Sequence, residues 1–236
     1  MTHSPRQMNF SAELKSSLAD IHMLEHPFYQ AWSRGELTLD VLRDYAAQYF
    51  HHVRLFPRFI STVHAQCDDV ASRRVLLENL NEEEGMTPGH DDHPELWMQF
   101  AEGLGASRQD VANTRLNAET AKLIETFQAA AARSYAAGLG ALYAYEHQIP
   151  EIADVKIDGL KNFYDVSDER TLKFFAVHAE ADIEHREALE ELLDGLDEED
   201  REEAQLGARM VAEALWGFLS GVDRVSRSMP AGATVH

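Results

Sequence analysis

Residues 168–193 read DERTLKFFAVHAEADIEHREALEELL, and this stretch indicates the fold more clearly than any other part of the chain. Its leucine, alanine and glutamate residues recur at helical spacing, and it lacks the alternating β-branched residues that are typical of strands. The same pattern continues along almost the whole sequence. The chain is therefore predicted to be all-α, as a bundle of about seven to nine helices.

Proline residues and capping residues set the predicted helix boundaries. The residue before a proline avoids the α region, so the first helix should end before His26-Pro27. Thr38 is a suitable N-cap for a long helix that Pro57 bends or interrupts, and Pro150 is expected to end a later one. The predicted helices cover residues 12–23, 28–33, 38–66, 69–84, 94–102, 117–147, 151–163, 168–193 and 198–225.

Composition limits the kind of protein that this chain can be. With 236 residues, of which 44% are hydrophobic, it can bury one large core. One domain is predicted over residues 9–225, with a disordered polar tail at 226–236. A net charge of −20 argues against nucleic acid or an anionic membrane as partner, because both would repel this surface. No apolar run approaches the roughly 20 residues that span a bilayer, so a cytoplasmic protein is expected.

Three potential metal ligands share one face of the helix quoted above. At about 100° per residue, His178, Asp182 and His185 fall within an arc of about 60°. Apolar residues such as Phe174 and Leu189 lie along the same stripe, which indicates that it faces the interior. Buried imidazoles and carboxylates need a compensating partner, and a cation supplies one directly. A solvated polar helix is the alternative interpretation.

Carboxylates elsewhere in the chain could complete a two-metal site, since a carboxylate can bridge two cations. Glu83 lies in NEEEG, and the glycine-rich turn after it could bring His90 back beside it. A charged helix end with a capping loop is the commoner explanation of such a run. Glu146 ends a weakly polar stretch, where a carboxylate is less expected than on a charged face. The single cysteine, Cys67, excludes a cysteine-based metal cluster.

Together these motifs resemble the haem-oxygenase-like di-metal oxidases over about residues 9–220. The segments that carry the resemblance are HPFY at 26–29, NEEEG with the following GH at 81–90, YEHQ at 145–148 and H-x3-D-x2-H at 178–185. Within that superfamily the chain looks closest to the chlamydial death-domain-associating family, whose members form 4-aminobenzoate for folate biosynthesis. The resemblance implies a haem-oxygenase-like helical bundle. It also implies six metal ligands: Glu83, His90, Glu146, His178, Asp182 and His185.

The same resemblance implies the cofactors and the reacting side chains. Two metal ions are expected, both iron or with manganese at one site, together with dioxygen as co-substrate and an external reductant. In this family a tyrosine of the protein itself supplies the aminobenzoate ring and a lysine supplies the nitrogen. These roles fall on Tyr29 and Lys156. Tyr45 and Tyr145 are expected to line the same cavity and relay electrons, although core packing explains either residue equally well.

Several alternatives remain open from the sequence. The chain could instead be an oxidase like pyrroloquinoline-quinone synthase, acting on an external aromatic or amino-acid substrate, or a non-catalytic interaction protein. His51 and His52 point about 100° apart on a helix, so at most one can face a pocket. His93, which precedes a proline, is interpreted as a loop or cap residue rather than a ligand. Small molecules and dioxygen are the expected partners, and a homodimer is the expected assembly.

Overall fold

The computed structural model describes the backbone of residues 9–228, and their side chains except at 180–183 and 225–228. Within this part of the chain every regular element is helical, as the sequence predicts. The α-helices are α1 (Phe10–Ser17), α2 (Pro27–Trp32), α3 (Leu39–Ala65), α4 (Val70–Glu83), α5 (His93–Gly103), α6 (Arg108–Ala112), α7 (Ala118–Arg133), α8 (Tyr135–Glu146), α9 (Ile149–Phe163), α10 (Glu169–Asp194) and α11 (Glu198–Ser228).

Side-chain caps explain where several helices begin. Thr38 accepts a hydrogen bond from the backbone N–H of Val41, and this fixes the start of α3 as predicted. Asp69 and Asp168 cap α4 and α10 in the same way. Pro57 lies inside α3 rather than ending it. These caps satisfy backbone donors that the first turn of a helix leaves without a partner.

Helix α8 forms the centre of the bundle, and all its residues after Tyr135 are buried. It packs against α7, α10 and α11. A Cβ atom at Gly140 would overlap the carbonyl oxygen of Ala204 in α11. The absence of a side chain at Gly140 therefore lets the two helices approach closely, which places the C-terminal end of α8, with Glu146, deep in the protein.

Several boundaries differ from the prediction. The helix predicted over residues 12–23 ends at Ser17, and two short 3₁₀ helices, Ala19–Ile21 and Met23–Glu25, follow it. Residues 117–147 form two helices, because Ser134 has extended backbone angles and caps α8 through its side chain. Pro150 begins a helix instead of ending one, since a proline in the first turn has no N–H to lose. The last helix continues to Ser228, three residues into the segment predicted as a tail, and residues 229–236 of that tail lie outside the described residues. The short helix α6 was not predicted.

Among the described residues, no helix is both long enough and apolar enough to cross a bilayer. The longest described helix, α11, is 31 residues long and carries charged residues on both sides of the uncharged stretch at 214–222. It is therefore an amphipathic helix that packs along the bundle.

Candidate metal centre and adjoining aromatic pocket

Glu83, His93 and His178 come together in the interior from three different helices. One potential ligand atom from each lies within 4.8 Å of the others, and all three residues are buried. The Nδ1 atom of His93 is 2.8 Å from a carboxylate oxygen of Glu83. The imidazole centroids of His93 and His178 are 4.3 Å apart. One carboxylate and two imidazoles at these separations are a suitable set of ligands for a divalent transition metal.

The loop between α4 and α5 brings Glu83 and His93 together. Glu83 is the last residue of α4, and Gly85 follows it with a φ of 62°. A Cβ atom at Gly85 would lie 2.6 Å from the backbone nitrogen of Asp92, so only glycine allows the loop to close this tightly. Asp92 then caps α5, whose first residue is His93. The chain therefore returns His93 to the side of Glu83.

Hydrogen bonding orients His178 for metal binding. Its Nδ1 atom is 2.7 Å from the carbonyl oxygen of Phe174, one turn earlier in α10. A carbonyl can only accept, so Nδ1 carries a proton, and in the neutral ring Nε2 then has the lone pair that binds a metal. Burial also raises the pKa of Glu83 to about 8, while the nearby His185 acts in the opposite direction. A bound cation would offset the cost of burying this carboxylate.

A second carboxylate lies beside this cluster. Glu146 is buried, and the side-chain amide of Asn79 donates to both of its carboxylate oxygens, at 2.9 and 3.1 Å. Asn79 precedes Glu83 by one turn of α4, so both carboxylates adjoin the same helix face. His185 lines a small cavity with Asn79, and its Nε2 atom is 2.5 Å from Glu82.

The structure separates His90 from the cluster. His90 is exposed, in the loop before α5, whereas His93 is buried against Glu83 and His178. A cavity of about 380 Å³ extends from His93 outward past His90, Asp91 and Lys173. The side chain of Asp182 lies outside the described residues. The structure therefore brings together Glu83, His93 and His178, with Glu146 and His185 close by.

Sequence reasoning missed His93 because a residue before a proline suggested a loop. A signal was nevertheless present. His93, Leu96, Trp97 and Phe100 recur at helical spacing, and all four are buried in α5. Proline is tolerated in the first turn of a helix, so Pro94 allows His93 to be the first residue of α5.

A second buried region contains three polar side chains in series. We call this region the aromatic pocket and define it by Tyr29, Tyr45, Tyr49, Trp97 and Lys156. The amine of Lys156 donates to the phenol oxygen of Tyr45 at 2.7 Å. The phenol oxygens of Tyr45 and Tyr29 are 3.1 Å apart. The Lys156 nitrogen also lies 5.4 Å from the centre of the Tyr29 ring. The three residues that the resemblance assigned to tyrosine and lysine chemistry are therefore in contact.

The surroundings of Lys156 favour its neutral form. Lys156 is 4% exposed, and its nitrogen lies 5.1–5.7 Å from five aromatic rings. Within the described residues no carboxylate forms an ion pair with it. Burial therefore lowers the pKa of Lys156 to about 7, and raises the pKa of Tyr29 and Tyr45 above that of an exposed phenol. Near neutral pH a large fraction of the Lys156 amine is thus neutral and faces protonated phenols.

Tyr145 and His52 adjoin the aromatic pocket next to Tyr49, whose ring centre is 5.1 Å from that of His52. Tyr145 is buried, and its ring centre is 5.1 Å from that of His52 and 4.7 Å from that of Phe56. His52 is fully buried, and burial lowers its pKa to about 3, so it is neutral. Of His51 and His52, only His52 packs among these rings. This agrees with the prediction that at most one of the two adjacent side chains can face a pocket. Tyr145 also raises the pKa of Tyr45 electrostatically, which is consistent with the expectation that the two residues lie near one cavity.

Comparison with known protein families shows the class of protein to which this chain belongs. A family model described as iron-containing redox enzyme matches residues 43–216, so the chain belongs to this family and is an oxidoreductase. This confirms the resemblance to haem-oxygenase-like oxidases. A solved structure of a CADD-like protein from Nostoc punctiforme is similar in fold, with a TM-score of 0.74, 22% identity, and coverage of 92% of this chain and 99% of that one.

Two relatives that are similar over most of their length share the name of one enzyme. A 4-aminobenzoate synthase of Chlamydia pneumoniae is 43% identical over 209 residues, which are 88% of this chain and 92% of that protein. A 4-aminobenzoate synthase of Nitrosomonas europaea is 38% identical over 225 residues, covering 90% of each. The similarity extends along nearly the full length of both proteins.

Proposed function

We propose that this chain forms 4-aminobenzoate from its own Tyr29 and Lys156, using dioxygen at an iron-containing centre. The observation that carries the proposal is the contact of Lys156, Tyr45 and Tyr29 in one buried pocket. The similarity to 4-aminobenzoate synthases of two bacteria supports the product. The ring and Cβ of a tyrosine side chain have the carbon skeleton of 4-aminobenzoate, so Tyr29 can supply all the carbon of the product.

The metal centre would use the buried carboxylates and imidazoles. Glu83, His93 and His178 would hold one ion, with His93 in place of the His90 expected from the sequence. Glu146, His185 and Asp182 are the candidates for a second. Iron fits these ligands and the family, and manganese fits them as well. When bound, the metal would supply the activation of dioxygen that cleavage of the Tyr29 side chain from its backbone requires.

The protein side chains would perform the remaining steps. The neutral amine of Lys156 has a free lone pair and could add to the ring carbon of Tyr29 that bears oxygen, once dioxygen has oxidised the ring. That oxygen would leave as water, and oxidative cleavage of the Nζ–Cε bond of Lys156 would then release the amino group with the product. Tyr45 lies between these two groups and can exchange protons with both. The surrounding rings exclude water, which keeps the amine neutral and protects a reactive ring from hydrolysis. The enzyme would consume two of its own side chains and therefore turn over once.

Replacement of Lys156 tests the source of nitrogen. We expect K156R to abolish 4-aminobenzoate, because a guanidinium remains charged and cannot donate an amine. Iron content should be unchanged, since Lys156 is not among the metal ligands. Wild-type protein carrying nitrogen-15 at the lysine side chain should yield nitrogen-15 product, measured by mass spectrometry. As a matched control, K161R replaces an exposed lysine of the same helix and should retain the product. Unlabelled product from labelled protein would contradict the role of Lys156.

A further inference from the structure

A continuous series of aromatic rings joins the metal-binding cluster to the aromatic pocket. The ring centre of Phe174 is 4.0 Å from that of His178. The ring centre of Trp97 is 4.8 Å from that of Phe174 and 5.8 Å from that of Tyr45. Trp97 also lies 5.0 Å from Tyr49, which stacks on Tyr45. Trp97 is therefore the indole that lies between His178 and the reacting phenols.

Two further features fix Trp97 in this position. It follows His93 by one turn of α5, so the two side chains share a helix face and adjoin the same region of the core. It is fully buried, and its indole N–H donates to the carbonyl oxygen of Ala46 at 2.8 Å. A backbone carbonyl cannot take up the indole proton. Oxidation of Trp97 would therefore give a radical cation, which readily oxidises a neighbouring phenol.

We infer that Trp97 relays an oxidising equivalent from the metal centre to Tyr45 and Tyr29. This inference rests on the proposed function, in which dioxygen oxidises the metal centre. Neither the sequence pattern nor the similarity to known proteins assigns Trp97 this role. Its contacts with Phe174 on one side and Tyr45 on the other carry the inference.

The transfer balances in electrons and protons. One electron passes from Trp97 to the metal centre that dioxygen has oxidised, and Tyr45 returns one electron to Trp97. The phenolic proton of Tyr45 passes to the neutral amine of Lys156 across their 2.7 Å contact. Tyr45 then takes a hydrogen atom from Tyr29, whose oxygen is 3.1 Å away. The net change is the loss of one electron from Tyr29 to the metal centre and of one proton to Lys156. The ammonium must release this proton, through Tyr45 to the oxygen of the oxidised Tyr29 ring, before the amine can attack that ring.

Trp32 provides a matched control. It is also fully buried, its ring centre is 5.7 Å from that of Tyr45, and its indole N–H donates to a backbone carbonyl, that of Lys156. Its ring contacts are with Phe28, Tyr29, Tyr45 and Tyr164, and none of these residues belongs to the metal-binding cluster. W97F and W32F therefore remove two buried indoles, of which only Trp97 contacts Phe174, the ring that packs on His178.

The first measurement follows tryptophan fluorescence while ferrous iron is added without oxygen. We expect iron to quench the emission of the wild type and of W32F, and most of this quenching to be lost in W97F, because Trp97 is the indole beside the cluster. Iron stoichiometry should be the same in all three proteins. Quenching that persists in full in W97F would contradict the position of Trp97 beside the metal.

The second measurement follows the tyrosyl radical by freeze-quench electron paramagnetic resonance after dioxygen is mixed with ferrous protein. We expect the radical to form at least about tenfold more slowly in W97F than in the wild type or W32F. Equal rates in W97F and the wild type would overturn the relay while leaving the proposed function intact. If the wild type binds no iron or forms no product, the proposed function fails instead.

A shape-preserving substitution separates electron transfer from packing. Fluorotryptophan at every tryptophan position keeps the size of the indole and makes it harder to oxidise. We expect fluorination to slow radical formation in the wild type and to have no further effect in W97F. An unchanged rate in the fluorinated wild type would contradict the relay, even if W97F itself does not fold.

Discussion

Y29F is expected to abolish 4-aminobenzoate formation completely while leaving the iron content unchanged. The phenol is the ring source in the proposed reaction, and Phe cannot be oxidised through a phenolic hydrogen. The substitution keeps the ring contacts of Tyr29 with Phe28 and Trp32 and removes only the hydrogen bond to Tyr45. The folded state should lose about 0.5–1.5 kcal/mol, which the protein can tolerate. Product is measured by mass spectrometry and iron by elemental analysis.

Y164F is the matched control for this variant. Tyr164 also packs against Trp32, and its phenol oxygen accepts a hydrogen bond from the backbone of Leu37 at 3.3 Å, outside the aromatic pocket. Y164F should therefore form product as the wild type does. Formation of 4-aminobenzoate by Y29F would show that the ring comes from an external substrate. The chain would then be better described as an oxidase like pyrroloquinoline-quinone synthase.

H93A is expected to lose most of its bound iron, whereas H90A should keep it. His93 is buried at 2.8 Å from Glu83 and adjoins His178, while His90 is exposed in the preceding loop. Loss of a ligand should weaken iron binding by about 100-fold or more, since even residues that only support a ligand contribute about 10–100-fold. Titration with ferrous iron under anaerobic conditions, followed by elemental analysis, measures the difference.

Comparison of H93A with H90A shows whether the iron ligand is the histidine that the structure favours or the histidine that the sequence motif predicts. The spacing of the motif assigns the ligand to His90, seven residues after Glu83, and the structure favours His93. Circular dichroism of H93A should show that its helices are retained, because His93 lies at the first residue of α5. Full iron binding by H93A with loss of binding by H90A would restore the assignment from the motif.

Much of the fold follows from local signals in the sequence. Thr38, Asp69 and Asp168 are capping residues whose effect is local, so they predict helix starts correctly. The break at Ser134 was missed because alanine-rich sequence on both sides has high helix propensity. Close packing of α8 on α11 through Gly140 depends on contacts between distant segments, which one sequence does not reveal.

The candidate site could be predicted only in part, because its residues also come from distant segments of the sequence. Glu83, Glu146 and His178 stand out from their patterns, and the structure places them in one buried region. Local sequence does not single out Lys156, whose role is implied only by the resemblance. Its spacing from Ile152 and Leu160, both buried, indicates an inward-facing position on α9. Its contact with Tyr45, 111 residues away, could come only from the folded structure.

Isotope labelling of the protein tests the central claim most directly. Protein whose tyrosines carry carbon-13 in the ring is loaded with ferrous iron, mixed with reductant and dioxygen, and analysed together with an excess of unlabelled free tyrosine. The proposed reaction predicts 4-aminobenzoate labelled at all six ring carbons, in at most one equivalent per chain, and an intact-protein mass that changes by the loss of the Tyr29 fragment and of the Lys156 amino group. Unlabelled product, or product in excess of one equivalent per chain with unchanged protein mass, would contradict it.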